Sequence, residues 1–406
     1  MTIRNQYSDL IPESFYNEYK VSSDEKKLEM EEEAFRIIRS VNTFPDYISD
    51  IEDDMKSLRN LIDVGSGDIY DFEKSHYGFH TAGTGFLYKF FPNIYDVQKQ
   101  NCDHTIRSAF YDDDYLKKFI QKSLSYGSSI MDLIRWGRMV ARVGYVVNFR
   151  PAVAKVLYEL YSPRSSNSKV LDTSAGYGGR LLGAWAASNV SEYIGMDPNT
   201  ETAKNAGNLI KYLDTNFKNI EKAEVLCIGS ETFTKENYPQ YQDYFDIAFT
   251  SPPYFNTEVY SDEETQSCNM FSTYDLWVKG FLRPTIYNTI DALKEDGVFS
   301  INIFEKIPNI KKIIAFIAGE RGFRLYHEDL MLFRVMPGAG KDGKRKDTSK
   351  SLGNYEPIWY FKHENVLKEE GIPYVDYKNI SKISADTNVN MRRVPLSNGK
   401  YVSKNF

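Results

Sequence analysis

The chain predicts an α/β protein built on a mainly parallel, Rossmann-like sheet with helices on both faces, a late antiparallel hairpin and a mostly helical N-terminal region. Three observations predict it. A short apolar strand from Lys169 to Leu171 runs into the glycine-rich turn Asp172-Thr173-Ser174-Ala175-Gly176-Tyr177-Gly178-Gly179-Arg180, after which Leu181 to Ala187 begins a helix. A second strand, Tyr193-Ile194-Gly195-Met196, ends on Asp197. A third, Phe245 to Thr250, ends in the turn Ser251-Pro252-Pro253-Tyr254.

Taken in chain order, helical spacing covers Glu25 to Val41, Tyr47 to Leu61 and Tyr115 to Leu124, with a Gly/aromatic segment between, from Tyr77 to Phe91. Ile130 to Arg142 places Arg135, Arg138 and Arg142 on one helix face, suited either to phosphates or to pairing with the acidic N-terminal segment. Asn148-Phe149-Arg150-Pro151 leads into an amphipathic helix, Ala152 to Leu160. Beyond the three strands above, Phe281 to Leu293 reads as a helix, Lys294 to Gly297 as a turn, Gly297 to Ile303 as a strand and Ile310 to Gly319 as a helix. Arg324 to Tyr326 and Leu330 to Val335 read as a late antiparallel pair, closed by Glu356 to Phe361. The expected division is an accessory region, 1–144, available for target recognition, a core domain, 145–362, and a C-terminal extension, 363–406. In that extension Ile380 to Val394 is a candidate helix-turn-helix ending in a basic helix; a packed or flexible tail is the default.

The chemistry concentrates where open sheets bind ligands, at the carboxyl ends of the strands. Two prolines fix φ near about −65° and remove two N–H donors, so the Ser251 and Pro252 carbonyls face outward. A planar amine suits such a turn: it donates to the Ser251 hydroxyl and the Pro252 carbonyl while the Tyr254 ring stacks on the attached heterocycle. The plain alternative is a turn that only ends a strand. Upstream, Gly176, Gly178 and Gly179 let backbone approach a ligand closely. Asp197 follows Asp172 at the spacing at which a carboxylate reaches ribose hydroxyls. A lysine-bearing phosphate loop and a G-x-G-x-x-G are both missing, which favours a ribose-bearing cofactor without phosphates.

With these motifs the stretch from about residue 145 to 362 resembles the amino-directed, S-adenosylmethionine-dependent DNA methyltransferases. Asp172 to Gly179 is similar to their cofactor loop, which implies cofactor contacts by Asp172, Ser174, Ala175, Gly176 and Gly178. Asp197 is similar to the ribose-binding acid, Cys227-Ile228-Gly229-Ser230 to the segment near the adenine, with Ser230 as its contact, and Thr250 to Tyr254 to the cofactor-side Thr and catalytic Ser-Pro-Pro-Tyr. Arg150 stands where the family usually has a Lys that helps hold the methionine end, and Tyr177 departs from the aromatic-Gly-x-Gly order of many members. The resemblance implies a class I methyltransferase fold, S-adenosyl-L-methionine as cofactor, and methyl transfer to the exocyclic amine of a base extruded from double-stranded DNA. Ser at the first turn position leans toward cytosine N4 over adenine N6. An RNA methyltransferase of the same fold and a catalytically idle DNA-binding regulator are the alternatives, and a homodimer is entertained alongside a monomer.

Composition bounds the rest. With 406 residues and 42% hydrophobic content, one large core and an accessory region are affordable. Cys102, Cys227 and Cys268 lack paired spacing and the five His residues sit apart, so neither a disulfide framework nor a metal site is expected. No apolar stretch approaches a membrane span and no signal peptide opens the chain, so the expected location is the cytoplasm of a bacterial or phage-infected cell. The net charge of −6 is uneven: residues 1–75 hold 9 Lys/Arg against 18 Asp/Glu, which leaves the remainder at +3. In Gly338 to Lys350, a glycine-rich loop gathers Lys341, Lys344, Arg345, Lys346 and Lys350 as expected phosphate contacts, an ordinary surface loop being the alternative.

Overall fold

Nine strands form one sheet in the computed structural model, which describes residues 7, 9–45, 47–126, 140–255, 257–303, 309–333, 355–377, 391–395 and 401–405, the last two segments as backbone only. In chain order the strands are β1 (Tyr70–Asp71), β2 (His76–Tyr77), β3 (Gln98–Lys99), β4 (Ser168–Asp172), β5 (Val190–Met196), β6 (Lys222–Leu226), β7 (Phe245–Thr250), β8 (Glu258–Val259), β9 (Leu293–Asn302), β10 (Phe323–Leu332) and β11 (Tyr355–His363). The sheet runs β1-β2-β10-β11-β9-β7-β4-β5-β6, while β3 and β8 pair separately. Strands β6, β5, β4, β7 and β9 run parallel to one another, and β11 is antiparallel to both β9 and β10. This is the class I methyltransferase order. The chain builds outward from β4 through β5 to β6, then returns to the other side of β4 as β7, which opens a crevice at the carboxyl ends of β4 and β7. All six residues of β7 are buried, as expected of a strand covered on both faces.

The local reading holds closely around the motifs. The helix expected after Arg150 spans Pro151–Tyr161 with Pro in its first turn, where a missing N–H costs nothing. The helix after the glycine loop spans Gly179–Ala186. The N-terminal helices are Asp24–Val41, Ile51–Ile62 and Asp113–Ser125. The second starts at Ile51 rather than Tyr47 because the Asp50 side chain caps it, accepting from the Asp53 N–H at 2.8 Å.

Three expectations are corrected. The turn at Lys294 to Gly297 lies inside β9 as an irregularity: the register passes from Phe245 opposite Leu293 to Ile247 opposite Val298. Arg324 to Tyr326 and Leu330 to Val335 are not two paired strands, because Phe323–Leu332 is one strand whose partner is β11. The polar His327-Glu328-Asp329 between them reads as a break, yet Glu328 accepts from Trp359 Nε1 at 2.7 Å and pairs with Lys311, and His327 and Asp329 are wholly buried in a network. Of the candidate helix-turn-helix over Ile380 to Val394, residues 380–390 lie outside the described residues, and the end read as a basic helix falls in a strand, Met391–Pro395, paired antiparallel with Tyr401–Asn405; Val394, Tyr401 and Val402 are strand formers.

Residues 1–144 also supply part of the main sheet. The β1–β2 hairpin docks beside β10, with Leu330 opposite His76 and Met331 opposite Tyr77. Its surroundings form one apolar core in which Leu61, Phe86 and Tyr77 share a cluster with Val153, Leu182 and Tyr360. The basic residues Lys341, Lys344, Arg345, Lys346 and Lys350, together with Arg135 and Arg138, lie outside the described residues, whereas Arg142 is paired with Asp103. Among the described residues no helix is long and apolar enough to cross a membrane.

Candidate active site

The crevice is a cleft of about 1490 Å³ whose floor comes from the loops after β4, β5 and β7 and whose far wall comes from the N-terminal region, including Phe79, His80 and Tyr88. At the end of β4 the Asp172 carboxylate is fully buried and organises the loop. Its Oδ1 accepts from the Ser174 N–H at 3.1 Å, and its Oδ2 from Arg180 Nε at 2.8 Å and from the Tyr193 hydroxyl at 2.7 Å. The loop then presents Ser174, Ala175 and Gly176 to the cleft. Gly176 has φ +54°, a conformation that glycine adopts without strain, and its N–H reaches Asp197 Oδ2 at 3.0 Å. At Gly179 any Cβ would stand 2.0 Å from the Phe149 carbonyl oxygen, so glycine is required for the loop to pack on the segment before Pro151.

Asp197, at the end of β5, faces the cleft. Its two oxygens each accept one backbone N–H, from Gly176 and, at 2.9 Å, from Asn199. Each oxygen therefore keeps acceptor capacity for a guest. Burial pushes its carboxyl up to about 6, against the pull of those two backbone bonds. Ser230 sits on the cleft beyond β6, its hydroxyl 2.9 Å from Thr285 Oγ1 and its carbonyl held by Asn288 Nδ2 at 3.0 Å. Arg150, only 8% exposed, lines the cleft from the start of its helix. Its Nη1 reaches the Gly78 carbonyl at 3.4 Å and its Nη2 is buried without a hydrogen-bond partner. Desolvation lowers its guanidinium to about 10, opposed by the charge of Glu356.

Beside the cofactor-like loop, at the carboxyl end of the neighbouring strand β7, stands the second turn. Ser251, Pro252, Pro253 and Tyr254 all line the cleft. The Ser251 hydroxyl donates to Asn302 Oδ1 at 3.4 Å, and Asn302 Nδ2 donates to the Pro357 carbonyl at 2.9 Å, which fixes which end of that amide faces Ser251. Ser251 also interacts with the Tyr254 side chain, so its hydroxyl is placed between Asn302 and Tyr254 at the edge of the cleft. Burial raises the Tyr254 hydroxyl well above its usual range, and the charge of Glu356 adds to this. The Tyr254 ring is therefore a neutral aromatic surface.

The cleft thus collects Arg150, Ser174, Ala175, Gly176, Asp197, Ser230 and the four turn residues. It does not take in Asp172, Gly178 or Thr250. Asp172 works beneath the loop through Arg180 and Tyr193; Gly178, at φ +75°, faces Phe91; Thr250 Oγ1 is buried behind the turn without a partner. Phe255, next after the turn, packs edge-on to Tyr274 at 6.0 Å and beside Trp277 at 6.1 Å. Sequence reasoning passed over Asn302, Glu356 and the Phe79–His80 wall. For Asn302 a signal exists, a polar residue at the carboxyl end of the buried strand segment from Val298 onward. Among the described residues no group of three or more His, Cys, Asp or Glu is placed to hold a metal ion.

Comparison with family models and with curated proteins finds no match. Solved structures similar to the chain include a predicted O-methyltransferase from Agrobacterium tumefaciens, 16% identical over 52% of this chain and 80% of that one, with a TM-score of 0.33. TrmN from Thermus thermophilus is 14% identical over 52% and 48% of the two chains, with a TM-score of 0.32. A TehB-like SAM-dependent methyltransferase from Corynebacterium glutamicum is 15% identical over 57% and 95%, with a TM-score of 0.31. At these values the fold assignment rests on the strand order of the sheet and the crevice it opens.

Proposed function

We propose that the chain transfers a methyl group from S-adenosyl-L-methionine to the exocyclic amine of a base extruded from double-stranded DNA, with cytosine N4 favoured over adenine N6. The observation that carries this reading is the meeting in one cleft of the Ser174–Gly176 loop and Asp197 on one side with the Ser251–Tyr254 turn on the other. The residues present suit the cofactor. Asp197 keeps acceptor capacity for a ribose diol, and the unpartnered Arg150 Nη2 is a buried cationic donor suited to a carboxylate. When bound, S-adenosyl-L-methionine supplies an electrophilic methyl group.

The chain's own residues do the rest. An exocyclic amine on a heteroaromatic ring is a weak nucleophile because its lone pair is delocalised. Ser251 Oγ, turned acceptor by Asn302, and the Pro252 carbonyl engage its two hydrogens and favour a geometry in which that lone pair is localised. Tyr254 stacks on the ring of the extruded base. Lys341, Lys344, Arg345, Lys346 and Lys350 are the proposed phosphate contacts.

Mass spectrometry of nucleosides from cells expressing the protein tests the reading. N4-methylcytosine or N6-methyladenine in the DNA is expected. Methylated amines confined to RNA would move the activity to RNA, and cofactor binding without any modified nucleoside would mark an idle binding protein.

A further inference from the structure

The register of the sheet places a third chemical group beside the catalytic turn. Thr250 pairs with Ile301 and Asn302 pairs with Ile358, so Ser251, Asn302 and Ile358 form one row across the carboxyl ends of β7 and β9 and the facing part of β11. Glu356 lies two positions along β11 from Ile358, and so on the same face of that strand. With adjacent strands about 4.8 Å apart and about 3.4 Å per residue along β11, its backbone lies about 12 Å from that of Ser251. Glu356 lines the cleft and is 8% exposed. The side chain of Asn302, which also receives the Ser251 hydroxyl, favours the ionised form of the Glu356 carboxyl, whose charge is felt at Tyr254.

Nothing in the roles assigned to the Ser251 hydroxyl, the Pro252 carbonyl and Tyr254 disposes of the proton that methylation releases. A hydroxyl and an amide carbonyl orient an amine but do not hold its proton. We propose that Glu356 is the catalytic residue that takes this proton. The proposal rests on the methyltransferase reading above. The amine nitrogen bonds the incoming methyl carbon as the carbon–sulfur bond breaks and its electron pair leaves with the sulfur. One N–H proton passes to a Glu356 carboxylate oxygen, directly or through one water, leaving a neutral methylamino group and a carboxylic acid that returns the proton to solvent through the cleft.

The surroundings of Glu356 suit a base at neutral pH. Burial raises its carboxyl to about 7; Arg150 and the Asn302 side chain pull it down, Glu258 on β8 pushes it up, and Lys99 on β3 pulls it down. Lys99 and Glu258 are themselves paired at 3.0 Å, so their effects largely offset each other. A base must be ionised to accept a proton, so the rate of transfer rises as pH climbs through about 7 and levels off above it.

The test is single-turnover methyl transfer from labelled S-adenosyl-L-methionine to unmethylated genomic DNA between pH 5.5 and 8.5, for the full chain and for Glu356→Gln and Glu356→Asp, with cofactor affinity by calorimetry as the check on folding. The expected result is a Glu356→Gln rate lower by roughly 100-fold or more with the rising limb abolished, and a partial return of both rate and limb in Glu356→Asp. A Glu356→Gln variant that binds cofactor normally and keeps the wild-type rate and pH profile overturns the proposal. So does a slower variant that keeps the limb, since that marks a structural role through Asn302. If the unaltered chain transfers no methyl group to DNA, the parent reading fails, and the assignment of Glu356 fails with it.

Discussion

The Tyr70 hydroxyl donates to Asp329 Oδ1 at 2.7 Å, across 259 positions of chain, and so fastens the N-terminal hairpin to the catalytic sheet. Asp329 is completely buried, and its other partners are His327 Nε2 at 2.7 Å, the Tyr161 hydroxyl at 2.8 Å and the Tyr360 hydroxyl at 2.8 Å. The hairpin leads directly into Gly78, whose carbonyl accepts from Arg150, and into Phe79, which faces Arg150 and with His80 lines the cleft. The knot therefore holds the wall opposite the cofactor-like loop.

Tyr70→Phe should destabilise the protein by about 1 to 3 kcal/mol, the usual cost of leaving a buried polar partner under-satisfied, without filling or emptying space in the core. Urea unfolding measures this. A change below about 0.5 kcal/mol would show that His327 and Tyr161 hold Asp329 unaided.

Asp197→Ala should weaken S-adenosylmethionine binding by roughly 10-fold to 100-fold, about 1.4 to 3 kcal/mol, with the fold intact. Because the Asp197 carboxyl is raised to about 6, acceptance of ribose hydroxyls should fade as pH drops below that value. For stability the sign is opposite to that of a salt-bridged acid. The folded state binds the proton more tightly than the unfolded chain, so this group's contribution declines as pH rises from the ordinary carboxylate range to about 6. Calorimetric titration at pH 5 and pH 7.5 separates the variant from wild type; equal affinities throughout would remove Asp197 from the site.

Gly179→Ala should damage the cofactor loop although it adds a single methyl group. The new Cβ meets backbone, the Phe149 carbonyl, and the neighbouring Asn148 Oδ1 at 2.7 Å, so neither contact yields by a simple rotamer change of a long side chain. A loss of about 1 to 3 kcal/mol is expected, accompanied by weaker cofactor binding. A variant of unchanged stability would mean that the loop and the 148–150 segment separate easily.

Ser251→Ala and Tyr254→Ala should fail in different ways. Ser251→Ala removes one acceptor and leaves the Pro252 carbonyl, so single-turnover transfer should slow on the order of 10-fold to 100-fold with DNA affinity little changed. Tyr254→Ala deletes a stacking surface worth roughly 1 to 3 kcal/mol per base and should also reduce the fluorescence change of 2-aminopurine at the target position. Tyr254→Phe should retain much of the activity, because the buried hydroxyl stays neutral. Wild-type rates in both alanine variants would mean that the turn is not the active site.

Replacing Lys344, Arg345 and Lys346 by Ala should weaken DNA binding for all sequences alike and flatten its salt dependence, leaving cofactor affinity unchanged. An unaltered salt slope would place the loop away from the substrate.

The cofactor-like loop, Asp197 and the Ser251–Tyr254 turn were legible from residue order because each is a local event. Glycine and proline dictate backbone conformation within a few positions, and an apolar run that ends in a polar residue marks the carboxyl end of a strand. Six residues of β7 and the start of the Pro151 helix could be read in the same way. What only the tertiary structure decided is which side chains face the guest and which hold the frame. Asp172 carries the same chemistry as Asp197 and opens the glycine loop, yet Arg180 and Tyr193 claim it from below while Asp197 faces the cleft. The polar run His327-Glu328-Asp329 looks like a break in a strand until Tyr70, Tyr161 and Trp359 arrive from distant segments to satisfy it. Glu356 joins Ser251 solely because β11 pairs with β9. A buried polar group is favourable or costly according to its partners, and across long separations those partners are assigned by the packing of the sheet, not by the order of the chain.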